Sequence, residues 1–160
     1  MLITKTYQKL NQQLHKDKPH YGAGGHKWAD KVNDLTQIYD TTDILDYGCG
    51  KGTLQEHLMP TLYEYDPCVE GKDMMPAPHD LVVCTDVLEH IEPELINDVL
   101  DHIRDLTKKA ALLVIATRPA KKVLPDGRNA HLIQECELWW IAKVNSRFPV
   151  IRKEKSKQDG

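Results

Sequence analysis

The run Ile44-Leu45-Asp46-Tyr47-Gly48-Cys49-Gly50-Lys51-Gly52 constrains the fold of this chain more than any other stretch. An apolar strand ends in an acid and turns through three alternate glycines toward a helix. A ligand at the carboxyl end of the first strand of an open α/β sheet is the general expectation for that arrangement. Glycine suits such a turn because it lacks a Cβ to hold a ligand off and tolerates positive φ. The spacing then narrows the ligand. Dinucleotide folds seat a pyrophosphate with G-x-G-x-x-G, whereas the pattern here is D-x-G-x-G-x-G. An acid two residues before the first glycine suits a ligand with a cationic amino-acid end.

Alternation of apolar runs and helical stripes fills in the rest. A short helix is expected over residues 4–14, stopped by the Lys16-Asp17-Lys18-Pro19 cluster, and then a glycine-rich loop at 20–25. Trp28, Val32, Leu35 and Tyr39 recur on one helical face. Strands follow at about 43–47, 61–65, 80–84 and 110–116, with a short helix after the glycine turn that Pro60 must end. Pro93 opens a helix striped by Leu95, Val99, Ile103 and Leu106. A long loop at 117–131, a helix near 134–145 carrying Trp139 and Trp140 and a last strand near 147–152 complete the pattern. Strand–helix alternation of this kind implies an α/β, doubly wound, mostly parallel sheet.

Three boxes now stand in order: Asp46 to Gly52, then Leu62-Tyr63-Glu64-Tyr65-Asp66-Pro67, then Asp80-Leu81-Val82-Val83-Cys84-Thr85-Asp86-Val87-Leu88-Glu89-His90. Together they resemble the class I S-adenosylmethionine (SAM) dependent methyltransferases, with a Rossmann-like sheet, over roughly residues 43–150. The resemblance implies SAM as cofactor and S-adenosylhomocysteine as product. It implies that Gly48, Cys49, Gly50 and Gly52 pass beneath the methionine part, that Asp46 holds the turn and meets the ammonium, and that Asp66, followed by Pro67, takes the ribose hydroxyls. Asp73 would accept from the adenine amino group, and Asp86 and Val87 would line the pocket past the third box. Tyr21 would cap the cofactor from the N-terminal side. Only 13 residues separate Asp66 from Asp80, so the family's third strand is expected to be reduced or missing, along with its C-terminal hairpin strand.

The acceptor side rests on the loop after the fifth strand of the family. Arg118, Lys121 and Arg128 offer a clamp for a carboxylate or phosphate, and His131 is a candidate general base because imidazole titrates near neutrality. His90 is a second catalytic candidate, equally readable as a packing or capping residue. No metal is expected, because nothing else in the chain completes an oxygen cage around the acids of the third box. The expected function is methyl transfer to an unidentified small-molecule acceptor, an anion being one class that the basic loop would suit. A degenerate SAM-binding scaffold, a dinucleotide-dependent oxidoreductase and a SAM-cleaving enzyme without a methyl acceptor are the rivals.

Size and charge set the remaining bounds. At 160 residues one domain is expected, with a helical segment at 1–42, a Rossmann-like core at 43–152 and a polar tail at 153–160. A net charge of −3 argues against nucleic acid and membrane surfaces as partners. Four cysteines scattered singly argue for a reduced, cytoplasmic protein. Open sheet edges in so short a fold are compatible with a homodimer.

Overall fold

A computed structural model describes residues 1–155. Four parallel strands form its centre: β1 Ile44–Tyr47, β2 Tyr63–Tyr65, β3 His79–Thr85 and β4 Thr107–Val114, in the order β2-β1-β3-β4. Residue Asp46 pairs with Glu64 on one side and with Val83 on the other, so β1 sits fully inside the sheet and all four of its residues are buried. Strands buried on both faces are apolar throughout instead of alternating. In β3, Leu81 and Val83 enter one apolar layer while Val82 and Cys84 enter the other.

Helices cover both faces. On one, α2 (Ala29–Tyr39) lays Ala29 and Val32 against Ile44, Leu54, Leu58, Leu62, Leu81 and Val83. On the other, α3 (Ile96–Leu106) inserts Val99, Leu100, Ile103 and Leu106, and α4 (Glu137–Asn145) adds Trp140. Burying each of these aliphatic side chains contributes about 1.5–3 kcal/mol. Trp140 is the member of the tryptophan pair that faces the core, with Trp139 packed against its edge. Helix α1 (Lys5–Asp17) stands apart from both layers and crosses the carboxyl ends of the strands.

The link between β2 and β3 holds neither helix nor strand, as its length requires. Two expectations need correction. The helix after the glycine turn is a single 3₁₀ turn, Gln55–His57, because only seven residues lie between Gly52 and Pro60. The strand expected at 147–152 is absent. Arg147 is held instead on α3 by Asp101 (2.7 Å) and Glu154 pairs with Lys31 of α2 (2.6 Å), so this segment follows the helices. Among the rest of the expected tail, 156–160 lies outside the described residues, and Lys153 and Lys155 pair with Glu137. Among the described residues no helix is long and apolar enough to cross a membrane.

Candidate functional site

A cavity of about 130 Å³ opens where the carboxyl ends of β1, β2 and β3 meet. Its floor is the glycine turn. The N–H groups of Gly48 and Cys49 donate to the Tyr65 carbonyl (2.7 and 3.1 Å), which ties the turn to the end of β2. A Cβ on Gly48 would stand 2.4 Å from the Val87 side chain, so the close packing of this turn on the segment after β3 requires glycine. Gly50 has φ +53°, and a Cβ there would lie 2.5 Å from the Gly22 carbonyl oxygen. Gly52 faces the Glu64–Lys72 pair, away from the cavity.

Asp66 is the acid that this geometry delivers to the cavity. One carboxylate oxygen accepts from the Gly50 N–H (3.0 Å) and the other from the Cys68 N–H (2.8 Å). Each oxygen keeps a second lone pair for a ligand hydroxyl. Glu64, two residues earlier, points to the other side of the strand pair and is paired with Lys72 at 3.0 Å. Asp73 is exposed and does not line the cavity. Asp86 does, and it holds φ +55°, a strained value for a residue other than glycine. Its carboxylate accepts from the Trp28 indole N–H at 3.3 Å. The cavity wall therefore joins two carboxylates to the rings of Tyr7, Tyr21, Tyr47 and Tyr65.

Helix α1 forms the roof. The Thr4 hydroxyl caps it by accepting from the Tyr7 N–H and is itself fixed by Glu92, which also accepts from the Thr4 N–H (2.8 Å each). Tyr7, Asn11 and His15 face the cavity; the Tyr7 hydroxyl donates to the His90 carbonyl, and Gln8 donates to the Pro67 carbonyl (2.6 Å). The loop after α1 then lies on the glycine turn, where the Lys51 N–H donates to the Gly22 carbonyl (2.9 Å). Tyr21 is anchored by its hydroxyl to Asn11 (2.9 Å) and packs edge-on against His15 and His90. Sequence reading found Tyr21 but missed Tyr7, Asn11 and His15. Their four-residue spacing was the available signal, a helical face whose polar members hid its role.

Asp46 is buried beneath the turn. Desolvation, then the charge of Glu64, pushes its carboxyl from the ordinary 3.8 up to about 7, against the opposing pull of Lys72. The folded chain thus holds a proton that the unfolded chain has already released between those values. This group's stabilisation is complete below about pH 4 and is lost as pH rises to about 7, an effect of up to about 4 kcal/mol. Urea unfolding at pH 4.5 and 7.5 is expected to show Asp46→Asn gaining on the wild type as pH rises. Two variants that track each other in parallel would place the proton elsewhere.

Past Asp86 the chain turns through Leu88–His90, and here the structure joins residues far apart in sequence. Glu89 is fully buried; one oxygen accepts from the Ala116 N–H (3.2 Å) and the other has no partner. Burial raises its carboxyl to about 8. His131 lies with Nε2 4.0 Å from Glu89, and its ring meets that of His90 edge-on at 4.7 Å. Nδ1 of His90 faces the Ala130 carbonyl (2.7 Å) and Nδ1 of His131 the Arg118 carbonyl (2.5 Å). A carbonyl can only accept, so both Nδ1 atoms carry the proton. Burial, then the neighbouring His131, lowers His90 to about 4. His90 lines the cavity; His131 does not, standing behind it.

None of the three basic residues expected to form an acceptor clamp lines the cavity. Arg128 is paired with Asp126 (2.8 Å) and lies 6.0 Å from the centre of the Tyr7 ring, while Arg118 and Lys121 are exposed. The loop's cation nearest the cavity is Lys122, whose ammonium sits 5.2 Å from the Tyr21 ring. An irregular loop has no periodicity to distinguish one lysine from its neighbour. The fold agrees with the comparison to known proteins. No individually curated protein and no solved structure matches the chain significantly. The model of a methyltransferase domain matches residues 20–156, from the loop over the glycine turn through His131 to the end of α4 and beyond, and the chain belongs to the class I SAM-dependent methyltransferase family.

Proposed function

We propose that this chain transfers the methyl group of SAM to a small acceptor that reaches the cavity beside His90. The observation that carries the reading is the cavity wall, in which Asp66 and Asp86 stand among four tyrosine rings at the glycine turn. Carboxylates and aromatic faces suit a cationic sulfonium ligand with a flat base, and the two free lone pairs of Asp66 suit a ribose diol. The bound cofactor supplies an electrophilic methyl; the protein's task is to hold the acceptor in line with it and keep water out, which in favourable cases is worth about 7–11 kcal/mol. The backbone of Gly48 and Gly50 holds the amino-acid end, with Asp46 bracing the turn from beneath. His90 marks the acceptor end, and Lys122, beside the Tyr21 ring, offers a cation to an anionic acceptor.

A cavity of 130 Å³ is smaller than the roughly 300 Å³ at which ligand pockets begin. Ligand entry therefore requires α1 and the Gly22 loop to lift, which breaks a few hydrogen bonds and leaves both core layers intact. Calorimetric titration of the chain with SAM, S-adenosylhomocysteine and NAD tests the reading. Saturable binding of the two adenosyl ligands and none of NAD is the expected result. Binding without methyl transfer to any of a panel of carboxylate- and phosphate-bearing acceptors would favour a SAM-binding scaffold, and no binding of either adenosyl ligand would remove the proposal.

A further inference from the structure

We propose that Glu89, His90 and His131 bind a divalent first-row transition-metal ion at the acceptor end of the cavity. One donor atom from each of the three lies within 4.8 Å of the other two. Ligands on a single ion at 2.0–2.2 Å are at most about 4.4 Å apart, so side-chain movements of less than 1 Å would close the site. Both imidazoles are arranged as ligands usually are. Each gives its Nδ1–H to a backbone carbonyl, of Ala130 and of Arg118, which fixes the tautomer and turns an Nε2 lone pair toward the cluster.

A second, independent observation points the same way. Glu89 is wholly buried, and one of its carboxylate oxygens has no hydrogen-bond partner. Buried polar atoms are nearly always satisfied, and an orphan of this kind is destabilising. That oxygen has no partner among the described residues. A cation held among Glu89, His90 and His131 would give this buried carboxylate a charged partner.

The donor set selects the metal. Two imidazoles and one carboxylate suit manganese, iron, cobalt or zinc, whereas magnesium and calcium prefer oxygen alone. No local spacing marks such a site, since His131 lies 41 residues beyond His90. Three protein ligands leave coordination positions open, and His90 carries the site to the cavity wall.

The consequence for chemistry rests on the methyl-transfer reading. An acceptor hydroxyl bound at the open position would lose its proton to water more readily. Its lone pair then forms the bond to the methyl carbon while the carbon–sulfur pair stays on sulfur. The acceptor atom would then be an oxygen.

The untagged full chain, stripped with chelator, should take up one equivalent of Co²⁺ with visible d–d absorption and without thiolate charge-transfer bands. His131→Gln and Glu89→Gln are each expected to weaken uptake at least about tenfold. Asp66→Ala should bind Co²⁺ as the wild type does while losing SAM, which separates this site from the cofactor reading. Circular dichroism identifies any variant that fails to fold; should Glu89→Gln do so, His131→Gln decides. Absence of saturable Co²⁺ uptake by the wild type, or wild-type affinity in folded His131→Gln, overturns the proposal.

Discussion

Asp66→Ala is expected to weaken SAM binding by at least about a hundredfold while leaving the chain folded. The carboxylate ties two backbone donors, Gly50 and Cys68, and so fixes the glycine turn against the end of β2. Hydrogen bonds to a charged group are worth about 1.5–3 kcal/mol each, and tenfold in affinity is about 1.4 kcal/mol. Losing the preformed turn together with two ribose contacts therefore accounts for a hundredfold without any other change. Both core layers lie away from Asp66, so thermal unfolding should remain cooperative. Asp66→Asn, which keeps an acceptor oxygen but loses the charge, should fall between. Calorimetry with S-adenosylhomocysteine reads the effect free of turnover. Undiminished affinity in Asp66→Ala would mean that the ribose is held elsewhere, and the assignment of this carboxylate would fail.

What the sequence disclosed, and what it withheld, follows from the range of each interaction. The glycine turn, the acid at the end of β2 and the stripe of Leu95, Val99, Ile103 and Leu106 are local patterns, and they appear where their spacing predicts except that Leu95 falls in the 3₁₀ turn before α3. The choice between Glu64 and Asp66 could not be made from strand alternation, because residues two apart share a face. It depends on where β2 stops: Tyr65 is its last residue, and Asp66, released from the sheet, turns to the Gly50 N–H.

Nonlocal arrangements were closed to the same reading. Glu89 sits in an apolar context, and only the return of the 117–131 loop sets His131 beside it. The strand expected at 147–152 had the right residues, but ion pairs of Arg147 with Asp101 and of Glu154 with Lys31 tie that segment to α3 and α2 instead of to a sheet edge. The roof was missed because a helix judged by its apolar stripe looks like ordinary packing. Leu14 does pack, against Leu124, yet the neighbouring face of α1 closes the cavity.

Gly50→Ala is the substitution expected to open that roof permanently. At φ +53° a non-glycine residue costs about 1–2 kcal/mol. Sterics add to this, because the new Cβ would meet the Gly22 oxygen at 2.5 Å and its Cα at 2.9 Å. Those are backbone atoms, with no rotamer through which to yield. The turn itself is pinned from below by Tyr65 and Asp66, so the Gly22 side must move. Its displacement breaks the Lys51–Gly22 hydrogen bond and tilts Tyr21, which in turn loosens the hydroxyl contact with Asn11.

Limited proteolysis should then cut the Lys16–Lys18 region at least about tenfold faster than in the wild type, since cleavage follows the population of the open form. The sheet and both helical layers should persist, giving near-native circular dichroism. Affinity for SAM should fall as well, because the cover that excludes water no longer seats. Gly24→Ala, where a Cβ meets nothing within 4 Å, is the matched control and should behave as the wild type. Equal proteolysis of Gly50→Ala and Gly24→Ala would show that the Gly22 loop does not close on the turn in solution, and the roof would have to be assigned to α1 alone.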